Sequence, residues 1–161
     1  MADIQLAIRP AREADAEAIS RVIVQTLRLS NAADYPPPVI ERVAANFDAA
    51  GVRGLMASRQ VFVALDDERV VATASLAGDV VRSVFVLPEM QGRGVGKALM
   101  RHIECVALAA GVQSLRVPAS LTAVPFYKAL AMPWCVKSSK AMSGPLSWRV
   151  SSAARLILSE N

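Results

Sequence analysis

The residues best suited to do chemistry form one short run, Gln91-Gly92-Arg93-Gly94-Val95-Gly96-Lys97. Glycines at alternate positions leave the backbone uncovered, so several N–H groups can converge on one anion, and Arg93 and Lys97 can add charge-assisted contacts. If the run opens a helix, the free N–H groups of its first turn strengthen the same preference. A phosphate-bearing ligand is the natural occupant. The competing reading is a glycine-rich turn that merely starts a helix. Two known phosphate loops fail by position. The nucleoside-triphosphate loop needs glycine where Gln91 stands and Ser or Thr where Ala98 stands. A dinucleotide fingerprint starting at Gly92 needs glycine where Lys97 stands, and it belongs after the first strand of a parallel sheet.

Other chemistries have little to build on. His102 is the one histidine, and Cys105 and Cys135 are the two cysteines. Four His/Cys ligands for zinc cannot be assembled in one chain, so no metal is expected, and two cysteines make no disulfide framework. His102 falls within a helical run and reads as a helix-flank residue. The cysteines read as small buried hydrophobes rather than nucleophiles.

Stepping outward, the glycine run sits between a strand and a helix. Val61–Leu65, Val70–Leu76 and Val80–Leu87 are β-rich runs separated by Asp66-Asp67-Glu68 and Gly78-Asp79, which predicts an antiparallel meander stopped by Pro88. Gly94–Ala110 carries Val95, Leu99, Ile103 and Val106 at helical spacing, with Gly111 as its stop. Upstream, Gln5–Arg9 reads as a short strand. Asp15 reads as the N-cap of a helix to about Leu29, and a second helix is expected from Val39 to about Ala50, ending near Gly51. Asn31–Pro38 reads as a loop because of its three prolines. Downstream, Ser114–Val117 reads as a strand and Thr122–Leu130 as a short helix. Trp134–Lys140 and a stretch within Leu146–Leu158 read as a closing hairpin. A meander followed by a strand-helix-strand crossover implies a mixed sheet with helices on its faces.

Composition agrees with such a fold. At 161 residues the chain reads as a single domain, 1–161, and 53% hydrophobic residues against 20% charged can bury a core. Aromatics are only 5%, so that core must be aliphatic. No run approaches the ~20 apolar residues of a membrane span, and no apolar leader is seen, so a cytoplasmic protein without a membrane partner is expected. Net charge is +4. From Met90 onward nine Lys and Arg face only Glu104 and Glu160, a positive field suited to an anionic partner. Nucleic acid is disfavoured as that partner, because few aromatics offer stacking and no binding module is recognisable.

Three segments in order resemble one family. Val86-Leu-Pro-Glu-Met-Gln-Gly-Arg-Gly-Val-Gly-Lys-Ala-Leu-Met100 is similar to the acetyl-CoA signature of the GNAT superfamily of N-acetyltransferases, Gln/Arg-x-x-Gly-x-Gly/Ala, through Gln91, Gly94 and Gly96. Ile8-Arg-Pro-Ala-Arg-Glu-Ala-Asp15 resembles the family's opening. Ser120-Leu-Thr-Ala-Val-Pro-Phe-Tyr-Lys-Ala-Leu130 resembles its Ala-x-x-Phe-Tyr-x-x-Leu-Gly-Phe segment. The chain departs at Leu130-Ala131-Met132, where the family has Leu-Gly-Phe, and Pro133–Asn161 matches little.

The resemblance implies an α/β (α+β) fold with a mixed, mostly antiparallel sheet of six to seven strands. It implies helices on both faces and a splayed central strand pair holding the pantetheine arm of acetyl-CoA. It assigns main-chain pairing with that arm to Val84, Phe85 and Val86. The diphosphate goes to Gln91, Gly92, Arg93, Gly94, Val95, Gly96 and Lys97, with Ser120 also on the coenzyme. Tyr127 matches the tyrosine placed by the CoA sulfur as general acid, and its phenol, of pKa ~10, is protonated at neutral pH. Some relatives carry a basic carboxylate on the strand before the glycine loop. Here Asp79 is the nearest choice, with Glu89 or a water relay as alternatives. The activity implied is acetyl transfer from acetyl-CoA to a primary amine, on a small molecule or a protein. The alternative is a non-catalytic acyl-CoA-binding or regulatory module. Many relatives dimerise, and exposed strand edges would permit a homodimer.

Overall fold

A computed structural model of the chain describes residues 6–117 and the backbone of 146–149. The elements are β1 (Leu6–Pro10), α1 (Ala16–Leu29), α2 (Pro37–Ala45), α3 (Ala49–Ser58), β2 (Gln60–Asp66), β3 (Arg69–Ala77), β4 (Val80–Val86), α4 (Val95–Ala109), β5 (Ser114–Val117) and β6 (Leu146–Arg149). β1 to β4 pair antiparallel in chain order, and β5 joins β4 in parallel, giving a mixed sheet. The short β6 pairs antiparallel with β5 at its edge, so the sheet has six strands among the described residues. The segment 118–145, with the expected Thr122–Leu130 helix and Trp134–Lys140 strand, lies outside the described residues.

The register shows both faces of the sheet covered. Phe62 and Ala74 are paired, and Phe62 meets His102 of α4 edge to face, with ring centroids 5.3 Å apart. The next row, Val63↔Thr73↔Phe85, must point the other way because strand side chains alternate. There Phe85 meets Phe47, which lies between α2 and α3, at 6.0 Å. The core is aliphatic, as composition requires: Ile19, Ile23, Leu99, Ile103, Val63, Val71 and Val81 are buried. Each such side chain contributes roughly 1.5–3 kcal/mol on burial.

Three local expectations are corrected. Asp15 does not cap α1 with its side chain. Its carboxylate instead takes both guanidinium nitrogens of Arg9, at 2.7 and 3.1 Å, and the Arg12 N–H at 2.7 Å. Pro37 and Pro38 are not loop residues but open α2, where a missing N–H costs nothing. The single helix expected from Val39 to Ala50 is two helices. α2 closes with the Asn46 and Phe47 N–H groups on Val43 and Ala44, and Asp48 starts α3 by accepting from the Gly51 N–H at 2.7 Å. Gly51 is therefore a first-turn residue rather than a stop: a Cβ there would run into the Asn46 carbonyl. Among the described residues no helix is long and apolar enough to cross a membrane.

Candidate functional site

β4 is the axis of the site. It runs from the Gly78-Asp79 turn to Leu87-Pro88, roughly 20 Å at the usual rise per residue. On its β3 side the ladder is continuous apart from one bulge. Between Ser75↔Arg82 and Thr73↔Phe85, β3 advances two residues and β4 three. The extra residue is taken up at Ser83, whose φ of 54° lies in the left-handed region. On its other side β4 pairs with β5 at one position only, Val80↔Arg116. Past that point no described strand covers this edge of β4.

The strand then feeds the glycine run. A tight turn over Pro88–Met90 brings the Gln91 N–H to the Pro88 carbonyl at 3.3 Å, and the first helical bond of α4 is Ala98 N–H to Gly94 O at 3.0 Å. Between these two bonds, the N–H groups from Gly92 to Lys97 have no acceptor among the described residues. Gly92 and Gly94 have φ of 75° and 82°, a geometry that costs other L-residues about 1–2 kcal/mol. A Cβ at either would meet nothing within 4 Å. Glycine is needed there for backbone direction and for leaving the N–H groups uncovered, not for close packing. Arg93 and Lys97 are exposed, and neither has an ion-pair partner among the described residues. This is an anion cradle at a helix start.

The expected site residues divide. Gly92, Arg93, Gly94, Val95, Gly96 and Lys97 come together as read. Gln91 does not donate its N–H to the cradle; its side chain works instead. Nε2 donates to the Ser30 hydroxyl at 3.1 Å and to the Val86 carbonyl at 3.0 Å, tying the loop to the end of α1. Thr26 Oγ1, buried, lies 3.2 Å from the same carbonyl and 2.7 Å from Val22 O, and its one proton is shared between them. The Val86 carbonyl is thus served by the protein itself. On the β3 side the Leu87 N–H donates to Val71 O at 2.9 Å, so by alternation Phe85 also turns its N–H and C=O toward β3, and Val84 and the Val86 N–H face the edge that no described strand covers. Ser120 and Tyr127 lie outside the described residues.

Asp79 is not brought to the cradle. It sits at the opposite end of β4, accepts from Arg116 Nη2 at 3.0 Å, and its own carbonyl takes the Arg116 N–H at 2.9 Å. The Arg116 hydrogen bond holds its carboxyl below the usual carboxylate range. Glu89, the other acid considered, pairs with Arg69 at 2.7 Å. His102 packs on Phe62 as a helix-flank residue, and burial pushes its imidazole down, toward the neutral form. Cys105 is half-buried in α4, and Cys135 lies outside the described residues. No group of three or more metal-ligating side chains occurs among the described residues. Sequence reasoning missed Thr26, Ser30 and Arg59. The last donates from Nη1 to Ser75 Oγ and Ser83 Oγ, both at 3.3 Å, at the β4 bulge. No local pattern marks these three, because their partners lie 16 to 61 residues away.

The comparisons fall on the same elements. Residues 57–130 match the acetyltransferase (GNAT) domain family. A GCN5-related N-acetyltransferase from Rhodopseudomonas palustris is 26% identical, with a TM-score of 0.76 over 92% of this chain and 96% of that one. The PaiA N-acetyltransferase of Thermoplasma acidophilum, solved in complex with coenzyme A, has a TM-score of 0.73 at 15% identity, covering 91% and 99%. YncA of Salmonella typhimurium, solved with its cofactor acetyl-CoA, has a TM-score of 0.58 at 20% identity, covering 89% and 91%. No curated protein matches the chain.

Proposed function

We propose that this chain, a member of the GNAT superfamily of acetyltransferases, moves an acetyl group from acetyl-CoA to a primary amine by direct attack on the thioester. One observation carries the reading: a run of N–H groups without acceptors among the described residues, from Gly92 to Lys97, opens α4 directly beyond a strand edge that no described strand covers.

The residues present fit the coenzyme. The Gly92–Lys97 N–H groups, with Arg93 and Lys97, would hold its diphosphate, and Val84 and the Val86 N–H would offer main-chain partners to the pantetheine amides. Bound there, acetyl-CoA supplies an acyl thioester whose C–S bond is exchanged for a C–N bond to the acceptor, one proton leaving nitrogen and one reaching sulfur. Tyr127 is assigned the second proton: its phenol Oη donates toward the leaving sulfur. The first proton goes to water, because Asp79 is held by Arg116 at the far end of β4 and its lowered pKa makes it a weak base. The Gln91 and Thr26 contacts to Val86 O fix the bend between strand and cradle, so that diphosphate and thioester keep a set separation.

Calorimetry with acetyl-CoA tests the cradle, and thiol release over a panel of amines tests transfer. Saturable binding is expected in both wild type and Tyr127→Phe, with nearly equal affinity. Turnover in the variant is expected to fall about a hundredfold, the lower end of what a positioned acid contributes. Unchanged turnover removes Tyr127 from the mechanism. Binding without any thiol release would instead favour a non-catalytic acyl-CoA-binding module.

A further inference from the structure

Arg59 stands where α3 hands over to β2. Its guanidinium lies across the sheet to the bulge of β4, where Nη1 donates to Ser75 Oγ and Ser83 Oγ, each at 3.3 Å. It is half-buried, yet its side-chain partners among the described residues are neutral hydroxyls. Arg9, Arg28, Arg69 and Arg116 each have a carboxylate within 3.0 Å, and Arg59 has none among the described residues. Arg82, paired with Ser75 across the ladder, is close enough for its charge to act on Arg59. Desolvation first, and the Arg82 charge second, push the Arg59 pKa down. A half-buried guanidinium beside a second, exposed cation, with no carboxylate near it among the described residues, is a place where an incoming anion is favoured.

The place in the fold says whose anion that is. Ser83 immediately precedes Val84, assigned with the Val86 N–H to the pantetheine arm. The diphosphate cradle begins nine residues further on, at Gly92, beyond the end of β4. The phosphates of the coenzyme are therefore spoken for at the other end of the strand, and the bulge lies toward the thioester end. Resting on the transferase reading above, we infer that Arg59, held by Ser75 and Ser83 and backed by Arg82, receives a carboxylate on the acceptor, so that the acceptor class is an amine that also bears a carboxylate. A guanidinium has a planar fork of donors, which suits a carboxylate in two-point contact, and the Nε and Nη2 donors have no partner among the described residues.

The test uses the full chain loaded with coenzyme A and two unreactive product-like probes, N-acetylglycine and N-acetylglycinamide, followed by calorimetry. The carboxylate probe is expected to bind at least about tenfold more tightly than the carboxamide, the ratio set by one charge-assisted contact. That ratio should collapse to near one in Arg59→Gln and recover in part in Arg59→Lys. Coenzyme A affinity measured on the same variants reports that the fold is intact. Equal binding of the two probes, binding of neither, or a ratio that survives in Arg59→Gln overturns the inference while leaving the transferase reading in place. Failure of coenzyme A to bind wild-type protein overturns that reading, and the carboxylate site with it.

Discussion

The two ends of β4 are built on opposite principles. At its start the Gly78-Asp79 turn is tied down: Asp79 and Arg116 are joined through both side chain and backbone, and the strand's one β5 pairing lies beside them at Val80. At its end, the N–H groups from Gly92 to Lys97 and the charges of Arg93 and Lys97 have no partner among the described residues. N–H groups at a helix start that no side chain caps are left to water or to an anionic ligand. The contrast separates the end that holds the sheet from the end that holds the ligand, though one strand supplies both.

The sharpest way to break the contrast is to close the open end from within. Gly94→Val places a β-branched residue at a φ of 82°, which the new side chain resists. The N–H directions of the cradle should turn, and acetyl-CoA affinity should fall on the order of a hundredfold, the loss of two charge-assisted hydrogen bonds. Calorimetry reads the affinity, and a thermal melt reads the accompanying strain, about 1–2 kcal/mol. Retained affinity would mean that the diphosphate does not use these N–H groups.

A smaller effect is expected from Gln91→Ala. Every cradle N–H remains, but the tie from the loop to Ser30 and the Val86 carbonyl is lost. Thr26 alone then serves that carbonyl, and its proton is divided with Val22 O. Affinity should drop about tenfold, with little change in melting temperature, because the side chain is exposed and one net hydrogen bond is worth ~1 kcal/mol. A loss as large as that of Gly94→Val would move Gln91 from positioning residue to direct ligand.

How much of this was legible in the sequence follows from how local each signal is. The meander was readable because its turns are written in adjacent residues, Asp66-Asp67 and Gly78-Asp79, between runs of Val and Ala. The cradle was readable for the same reason, with its alternate glycines directly before an amphipathic helix. The α2–α3 break was not: Ala44 to Ala50 reads as a continuing helix, and the collision that makes Gly51 obligatory is with the Asn46 carbonyl, visible only once the chain has turned. Asp15 was misread because Asp before a helix usually caps it, whereas here Arg9, six residues back, captures the carboxylate. Arg59 was invisible because a lone Arg at a helix–strand junction carries no pattern; its meaning lies in Ser75 and Ser83, which only the sheet brings near.

The smallest expected effect lies at the closed end, in Asp79→Asn, and it is the one that asks whether that end is closed in function as well as in structure. The carboxyl is about half exposed and paired with an equally exposed Arg116, so the pair is screened by water and salt. Its folded pKa is held below the ordinary carboxylate value, chiefly by the Arg116 hydrogen bond. A depressed carboxyl stabilises the fold above that ordinary value and loses the contribution as pH falls through the folded one. Wild type and Asp79→Asn should therefore differ slightly in urea midpoint at neutral pH, less in high salt, and begin to converge below about pH 4, meeting once the pH has passed below the lowered folded value. Acetyl-CoA affinity and the turnover of any accepted amine should not change. If turnover falls while affinity holds, and the acidic limb of the pH profile disappears with the carboxylate, Asp79 takes the amine proton after all. The two ends of β4 would then be coupled through the acceptor, and the division between a holding end and a binding end would have to be redrawn.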